Sequence, residues 1–244
     1  MIHLLQILSL PEALSFVCLW NSKKPIIRFK VRGIPTALYC RRDSVDHKVV
    51  WQIFGLKDCQ VNLNTQPRLI VDGGAHVGYA SVYFANRFPS ALILAVEPSL
   101  KNIEIFRMNT REYTNVRLVH GAIWDRSEAL VIIDPSAFET GYQVNPAGAE
   151  ITESFPGLTI SEILRIAGEA RIDLLKLDIE GAEERIFLGG ETGWLDSVQA
   201  VLVEIHREEA VEPIVRTMMD NGFEFKKTAE KYFFYRCSET RFIV

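Results

Sequence analysis

The chain of 244 residues is poor in cysteine and has no long uninterrupted apolar run. Its four cysteines, at positions 18, 40, 59 and 237, form no C-x-x-C pair, so we expect neither a disulfide framework nor a zinc–thiolate site. Such cysteines fit a reduced, cytoplasmic setting. Pro11 and Glu12 interrupt the apolar N-terminal stretch before it reaches the ~18–20 residues of a membrane span. We therefore predict no stable membrane insertion, and only peripheral contact with a membrane surface stays open.

The sequence also lacks an excess of positive charge. It has 27 lysine and arginine residues against 31 aspartate and glutamate residues, a formal net charge of −4. Proteins that follow nucleic-acid phosphates usually carry a basic stripe, whereas basic residues here occur as isolated pairs such as Lys23-Lys24. We predict a small-molecule substrate and no nucleic-acid partner, with only a small RNA left open. Formation of a homo-oligomer also stays open.

From Arg68 onward, short apolar segments alternate with segments of helical spacing. Runs without a polar face are typical of strands buried on both sides of a parallel sheet. The predicted parallel strands are 68–72, 91–97, 116–120, 172–178 and 198–205. Strand–helix alternation predicts an α/β fold with a doubly wound, mostly parallel, seven-stranded Rossmann-like sheet. An antiparallel hairpin, formed by residues 223–227 and 232–236, is expected to close it.

Two stretches depart from this alternation. Residues 1–67 are expected to form an N-terminal cover segment of short helices and strands, which makes one compact domain with the α/β part, 68–244. Residues 129–133 are expected to form a strand paired with residues near Ile123. The stretch 135–156 contains three prolines and is interpreted as a long loop, which in a compact domain is often a functional lid.

A glycine turn follows the first predicted strand, which ends in Asp72. In open α/β sheets such a turn holds a nucleotide-like ligand at the carboxyl ends of the strands. The dinucleotide fingerprint would need glycine where Ala75 stands, and Asp72 would oppose a pyrophosphate. S-Adenosylmethionine has no phosphate and carries an ammonium and a sulfonium, which suit a carboxylate. Glu97, at the end of the second strand, can accept ribose hydroxyls of either cofactor.

Four ordered stretches resemble the FkbM family of S-adenosylmethionine-dependent methyltransferases. They are VDGGAHVG at 71–78, VEP at 96–98, HGAIW at 120–124 and KLDIEGAE at 176–183. The blocks at 42–46 and 203–206 are similar to the family as well. The resemblance implies a class I Rossmann-like methyltransferase, with a hydroxyl on a sugar or other natural product as the typical acceptor. An NAD-dependent oxidoreductase and a non-catalytic ligand-binding protein of the same fold stay open as alternatives.

The resemblance also implies which residues hold the cofactor. They are Asp72, Gly73, Gly74, Ala75, His76, Gly78, Glu97, Pro98, Gly121, Ala122, Ile123 and Asp178. The loop 72–78 would hold the methionine end, Glu97 the ribose and 121–123 the adenine. Asp178 would face the methionine ammonium or the acceptor. The family usually has asparagine where His76 stands, so the contact at that position is left open.

The remaining candidates concern the chemistry. Transfer to a hydroxyl requires a group that takes its proton. His206 is the first candidate for this base, because it follows the fifth strand at the carboxyl edge and titrates near neutral pH; a structural role as a helix cap is the alternative. Asp178 and Glu204 are further catalytic candidates, and Glu180 and Tyr142 are candidates for contact with the acceptor. Strand-end acids alone do not make a magnesium site, so no metal is predicted.

The cover segment supplies one more candidate group. Arg41, Arg42 and Asp46 are expected to close the methionine end of the cofactor site, with a surface ion pair as the alternative.

Overall fold

The computed structural model describes residues 6–63, 65–132, 144–146, 154–190, 192–228 and 230–236. Its strands are, in chain order, β1 (Ile26–Phe29), β2 (Leu38–Arg41), β3 (Leu69–Gly73), β4 (Leu92–Glu97), β5 (Val116–His120), β6 (Ala122–Ile123), β7 (Ala129–Ile132), β8 (Val144–Pro146), β9 (Phe155–Leu158), β10 (Leu174–Leu177), β11 (Ala200–Glu204), β12 (Glu224–Thr228) and β13 (Lys231–Tyr235). Its α-helices are α1 (Leu10–Asn21), α2 (Asp46–Val50), α3 (Tyr79–Arg87), α4 (Leu100–Thr110), α5 (Ile160–Ala167), α6 (Glu183–Leu188) and α7 (Glu208–Asp220). A π-helical turn, Trp51–Leu56, continues α2, and a 3-10 turn, Gly193–Ser197, precedes β11.

The central sheet has seven strands in the order β12-β13-β11-β10-β3-β4-β5. The strands β11, β10, β3, β4 and β5 are parallel, and the hairpin β12–β13 joins β11 in antiparallel pairing. Every residue of β3, β10 and β13 is buried, whereas the edge strand β5 is partly exposed. The predicted mostly parallel, doubly wound sheet is therefore confirmed. Strand order reverses between β3 and β10, the point at which such sheets bind ligands.

A second, smaller sheet corrects the prediction for residues 129–158. Strand β7 does not pair near Ile123; it pairs antiparallel with β8 and β9, while Ile123 of β6 pairs in parallel with Leu158 of β9. The predicted loop 135–156 thus contains β8 and the start of β9. Prolines suggested a loop, but Pro146 lies on an edge strand, where a missing N–H breaks no ladder.

The cover segment and the sheet share a hydrophobic core. Apolar side chains of α1, β1 and the π-helical turn join one face of the sheet, among them Phe16, Phe29 and Ile53. The Phe16 and Phe29 rings pack edge to face with centroids 5.4 Å apart. The opposite face packs on α6 and α7 through Phe187 and Ile214. No described helix is both long and apolar enough to cross a bilayer.

Candidate active site

A cavity of about 520 Å³ opens at the carboxyl ends of β3, β4, β10 and β11. This volume lies within the about 300–1,000 Å³ of pockets for small ligands. The predicted residues that line it are Gly74, Ala75, His76, Glu97, Pro98, Ala122, Ile123, Asp178, Glu180, Glu204 and His206. Asp72, Gly73, Gly78 and Gly121 are not part of its wall. Tyr142 lies outside the described residues.

Asp72 is fully buried behind the glycine turn. Lys176 Nζ lies 3.0 Å from Asp72 Oδ1, and Ser81 Oγ donates to Asp72 Oδ2 at 2.7 Å. The Lys176 ammonium also donates to the carbonyl oxygens of Gly73 at 3.3 Å and Gly74 at 2.9 Å. The charge of Asp72 is therefore paired with Lys176 inside the protein, and Asp72 does not face the cavity, where direct contact with a cationic ligand was expected. Because Lys176 also binds the carbonyl oxygens of the glycine turn, Asp72 helps to hold that turn in place.

The glycines allow backbone segments to approach one another. Gly74 has φ +70°, and a Cβ at this position would collide with the carbonyl oxygen of Asp178. The loops after β3 and β10 can therefore meet only with glycine here. A Cβ at Gly78 would come within 2.8 Å of the Phe106 ring, and one at Gly121 within 2.8 Å of the Pro156 carbonyl oxygen. These two glycines thus serve packing around the cavity.

His76 links the turn to the cover segment. Its Nε2 lies 3.4 Å from Asp46 Oδ1 and 3.3 Å from Arg41 Nη2. Arg41 in turn holds the fully buried Asp46 through Nε and Nη2, at 3.0 and 2.8 Å. The alternative of a surface ion pair is therefore wrong for Arg41 and Asp46, whereas Arg42 contacts the exposed Asp43 at 3.5 Å. Burial lowers the pKa of His76 to about 4, so its imidazole is neutral at pH 7.

Glu97 presents a buried carboxylate to the cavity. Its Oε2 accepts from the His76 N–H at 2.8 Å, and its Oε1 accepts from the Ser99 N–H at 2.9 Å and from Asn102 Nδ2 at 3.1 Å. Burial outweighs these donors and raises the pKa of Glu97 to about 7. A carboxylate has about four acceptor positions, and three are used. Glu97 can therefore still accept a hydrogen bond from a ligand hydroxyl.

Acidic side chains surround His206 at the opposite end of the cavity. Its Nε2 lies 3.7 Å from Asp178 Oδ1, 3.4 Å from Glu180 Oε2 and 3.9 Å from Glu204 Oε1. Its Nδ1 lies 2.9 Å from Oε1 of the buried Glu183. Although burial opposes the charge, the hydrogen bond to Glu183 and the other carboxylates raise the pKa of His206 to about 9. The structure brings the predicted catalytic residues together, but it favours a protonated His206 at neutral pH.

Glu180 has an uncommon backbone conformation for its residue type. Its φ is +54°, and the next residue, Gly181, has φ +99°. Non-glycine residues held in this region are strained and cluster at functional sites. Burial, together with the neighbouring acids and against the effect of His206, raises the pKa of Glu180 to about 7. The carboxyl group lines the cavity and is poised to exchange a proton near neutral pH.

Lys231 completes the acidic end, although the sequence did not single it out. Its Nζ donates to Asp178 Oδ2 at 3.0 Å and to Glu204 Oε2 at 2.7 Å. Although burial opposes ionisation, Lys231 and Lys176 hold the pKa of Asp178 well below its usual range. Lys231 and Glu204 are register partners in the β11–β13 pair. A correct register for the predicted hairpin is the signal that could have found this contact.

The cover segment forms another part of the cavity wall. The residues that line it are Val45, which precedes α2, and Lys48, Val49, Gln52 and Ile53 of α2 and the π-helical turn. Of these, only Val45 falls in a block that resembles the family. Single π-helical turns are rare and occur frequently at functional sites. The part of the protein outside the sheet thus helps to enclose the cavity.

A Rossmann-like sheet with a glycine turn after β3 and an acid at the end of β4 is the architecture of enzymes that bind S-adenosylmethionine or a dinucleotide. Residues 72–225 match the family model described as the methyltransferase FkbM domain. The chain belongs to the FkbM methyltransferase family, and its cofactor is S-adenosylmethionine. This assignment removes the nicotinamide-dependent alternative. Lys231 and the cover segment lie outside the matched range.

Three similar proteins carry related names. Methyltransferase sdnD from Sordaria araneosa is 26% identical over 200 residues, which cover 68% of this chain and 77% of that protein. Methyltransferase 1 from Beauveria bassiana (strain ARSEF 2860) is 24% identical over 178 residues, 63% of this chain and 71% of that protein. The crystal structure of methyltransferase FkbM from Methylobacillus flagellatus KT has 14% identity and a TM-score of 0.46, covering 70% of this chain and 44% of that one.

The residues of the cavity fit this cofactor. Glu97 has an acceptor position for a ribose hydroxyl, and the apolar side chains of Ala122 and Ile123 suit an adenine ring. The carboxylates at the opposite end suit a cationic sulfur and ammonium. Both halves lie in one cavity.

Proposed function

We propose that the protein transfers the methyl group of S-adenosylmethionine to a hydroxyl of a sugar or another small natural product. The observation that carries this proposal is one cavity with two chemically different ends. Glu97 and apolar strand ends line one, and the cluster of Asp178, Glu180, Glu204 and His206 lines the other. The first end suits a nucleoside, and the second suits a molecule with several hydroxyl groups.

The acidic cluster supports a hydroxylated acceptor. Its carboxylates accept hydrogen bonds from hydroxyl groups, and the contacts of His206 Nε2 with three of their oxygens, at 3.4–3.9 Å, are too long to be good hydrogen bonds. These oxygens can therefore accept from an acceptor hydroxyl, and a protonated His206 can donate to its oxygen and orient it. Polar groups fixed in this way position the acceptor for an in-line displacement, which supplies several kcal/mol of the barrier.

Glu180 has a more suitable pKa for a proton acceptor than His206 has. S-Adenosylmethionine supplies a methyl group on a cationic sulfur, which leaves with the electron pair of the broken carbon–sulfur bond. The acceptor oxygen loses its proton as it forms the new bond. A base is most effective when its pKa lies near the working pH, and Glu180, with a pKa of about 7, meets this condition better than His206. The prediction that His206 is the base stays a prediction, and its raised pKa opposes it in the free protein.

The test uses S-adenosylmethionine with a trideuterated methyl group and a panel of glycosides. Mass spectrometry should detect the labelled methyl on a hydroxyl oxygen, and Glu180→Gln should reduce product at least a hundredfold because it removes the proton acceptor. Asp196→Asn, at an exposed position outside the cavity, is the matched control. Labelled methyl on amines or carboxyl groups only, with adenosylhomocysteine still bound, would reject the hydroxyl acceptor. Binding without turnover on any acceptor would favour a non-catalytic protein.

A further inference from the structure

Lys231 compensates the negative charge of the carboxylates at the acidic end of the cavity. Carboxylates that share a small volume repel one another, and such groups stay ionised only with compensation. The described residues Asp178 and Glu204 meet at the carboxyl edge, and each uses a separate oxygen toward a separate cation. Oδ2 and Oε2 bind Lys231, whereas Oδ1 and Oε1 face His206.

The position of Lys231 is built into the fold. Its side chain is 7% exposed, and its Nζ reaches the carboxylates from behind, because Asp178, Glu204 and His206 line the cavity and Lys231 does not. The register of β11 and β13 places Lys231 opposite Glu204, and the adjacent strand β10 leads into Asp178. The ammonium therefore fixes the rotation of both carboxylates and leaves one oxygen of each for the cavity.

The same three cavity residues could otherwise suggest a metal site. One ligand atom each from Asp178, Glu204 and His206 lies within 4.8 Å of the others. One feature of the chain opposes an ion there: Lys231 already supplies positive charge to both carboxylates. The contact of His206 Nδ1 with Glu183 does not decide the question, because metal-binding histidines also hold a carboxylate with their second ring nitrogen.

We infer that Lys231 is the resident cation of this site: it positions Asp178 and Glu204 for the acceptor and makes a divalent metal unnecessary. Lys231 is a positioning residue, since it acts through the two carboxylates. The inference deepens the proposed function and rests on it for the role of the acceptor. The charge arrangement itself can be tested without methyl transfer.

The experiment is a Mn²⁺ titration of the full chain at pH 7.5, followed by calorimetry and by water-proton relaxation. Mn²⁺ uses carboxylate and imidazole ligands and so reports on this site. Wild-type protein should show no saturable binding in the micromolar range. Lys231→Gln leaves two carboxylates without their cation, so Mn²⁺ should bind at least tenfold more tightly than to wild type. Lys227→Gln, on the same hairpin but exposed, should behave as wild type.

Further variants show where the ion binds. If the double variant Lys231→Gln/Glu204→Gln loses the Mn²⁺ binding that Lys231→Gln has gained, the ion binds at these carboxylates. Saturable micromolar binding to wild type that Asp178→Asn removes would overturn the inference, and so would Lys231→Gln with no gain. If Lys231→Gln does not fold, the wild-type titration still tests the inference, because saturable micromolar binding there would overturn it. Adenosylhomocysteine binding, measured in parallel, and the glycoside assay report the proposed function separately.

Discussion

A proton held on His206 should shape the pH dependence of stability. Its pKa is raised from 6.5 to about 9 in the folded protein. A group whose folded pKa is raised stabilises the fold fully below its unfolded pKa, and this contribution is lost as the pH rises through the folded value. At about 1.4 kcal/mol for each pH unit between the two values, the shift corresponds to about 3 kcal/mol. Because His206 is an exposed residue, solvent screening reduces its contribution to about 1–2 kcal/mol. The loss falls between pH 6.5 and 9.

The perturbation is His206→Gln, which keeps a donor toward Glu183 but cannot be protonated. For a protein of this size 1 kcal/mol moves the melting temperature by about 2–4 °C. Wild type should therefore melt about 2–8 °C above the variant near pH 6, and the difference should shrink toward zero at pH 9. Circular dichroism melts of ligand-free protein at four pH values measure it. His120→Gln, at an exposed histidine whose described bond is to the Pro98 carbonyl oxygen, is the control.

Titration of Glu97 near pH 7 does not disturb this comparison, because it occurs in wild type, variant and control alike. Glu180 contacts His206 at 3.4 Å and titrates together with it, so its response is part of the difference. Only the pH dependence of the difference between wild type and variant therefore counts. Equal slopes for the two proteins between pH 6.5 and 9 would refute the reasoning. His206 would then be largely neutral at pH 7.5 and would regain its place as the base.

Three further predictions concern the cofactor end. The affinity for adenosylhomocysteine should rise about tenfold from pH 6 to pH 8, because a bound ribose needs ionised Glu97; calorimetry on Glu97→Gln should show weaker, pH-independent binding. Gly74→Ala should abolish measurable adenosylhomocysteine binding, since the added Cβ collides with the Asp178 carbonyl oxygen; unchanged affinity would mean that the turn tolerates displacement. Lys176→Met should lower the free energy of unfolding, measured by denaturant titration, by about 3–5 kcal/mol, because it leaves Asp72 buried without a cation. The double variant Lys176→Met/Asp72→Asn should recover part of this loss, since it removes the uncompensated charge.

The fold could be predicted where burial on both faces gives a strand a nearly continuous run of apolar residues. Strands β3, β10 and β11 are mostly apolar because both faces of the sheet are covered, and alternation with helices then leaves few arrangements of the strands. The second sheet escaped prediction because β6 and β8 span two and three residues, too short for any periodicity. Their partners are also remote in sequence, as the pairing of Ile123 with Leu158 shows.

The site could be predicted where a residue follows a strand directly. Glu97 and Asp178 both line the cavity because the carboxyl ends of parallel strands lie at the same edge of the sheet. The partners of the acids could not be predicted, because they depend on strand order and register. Lys176 lies beside Asp72 only because β10 is the neighbour of β3, and the sequence pattern does not contain that order.

The two lysines change the electrostatic argument for the cofactor. From the sequence, Asp72 near the end of β3 was expected to be available to a cationic ligand. In the structure its register partner, Lys176, neutralises it inside the sheet. Lys231 does the same for one oxygen of Glu204. The negative charge that remains for a ligand therefore lies on the cavity side of the acidic cluster, and Glu180 is its least compensated member, because its described cationic contact is His206 alone. In the proposed reaction, attraction of a cationic sulfur thus comes from the same end of the cavity that we assign to the acceptor. Because adenosylhomocysteine lacks that charge, the same attraction weakens once the methyl group has moved, which favours release of the product.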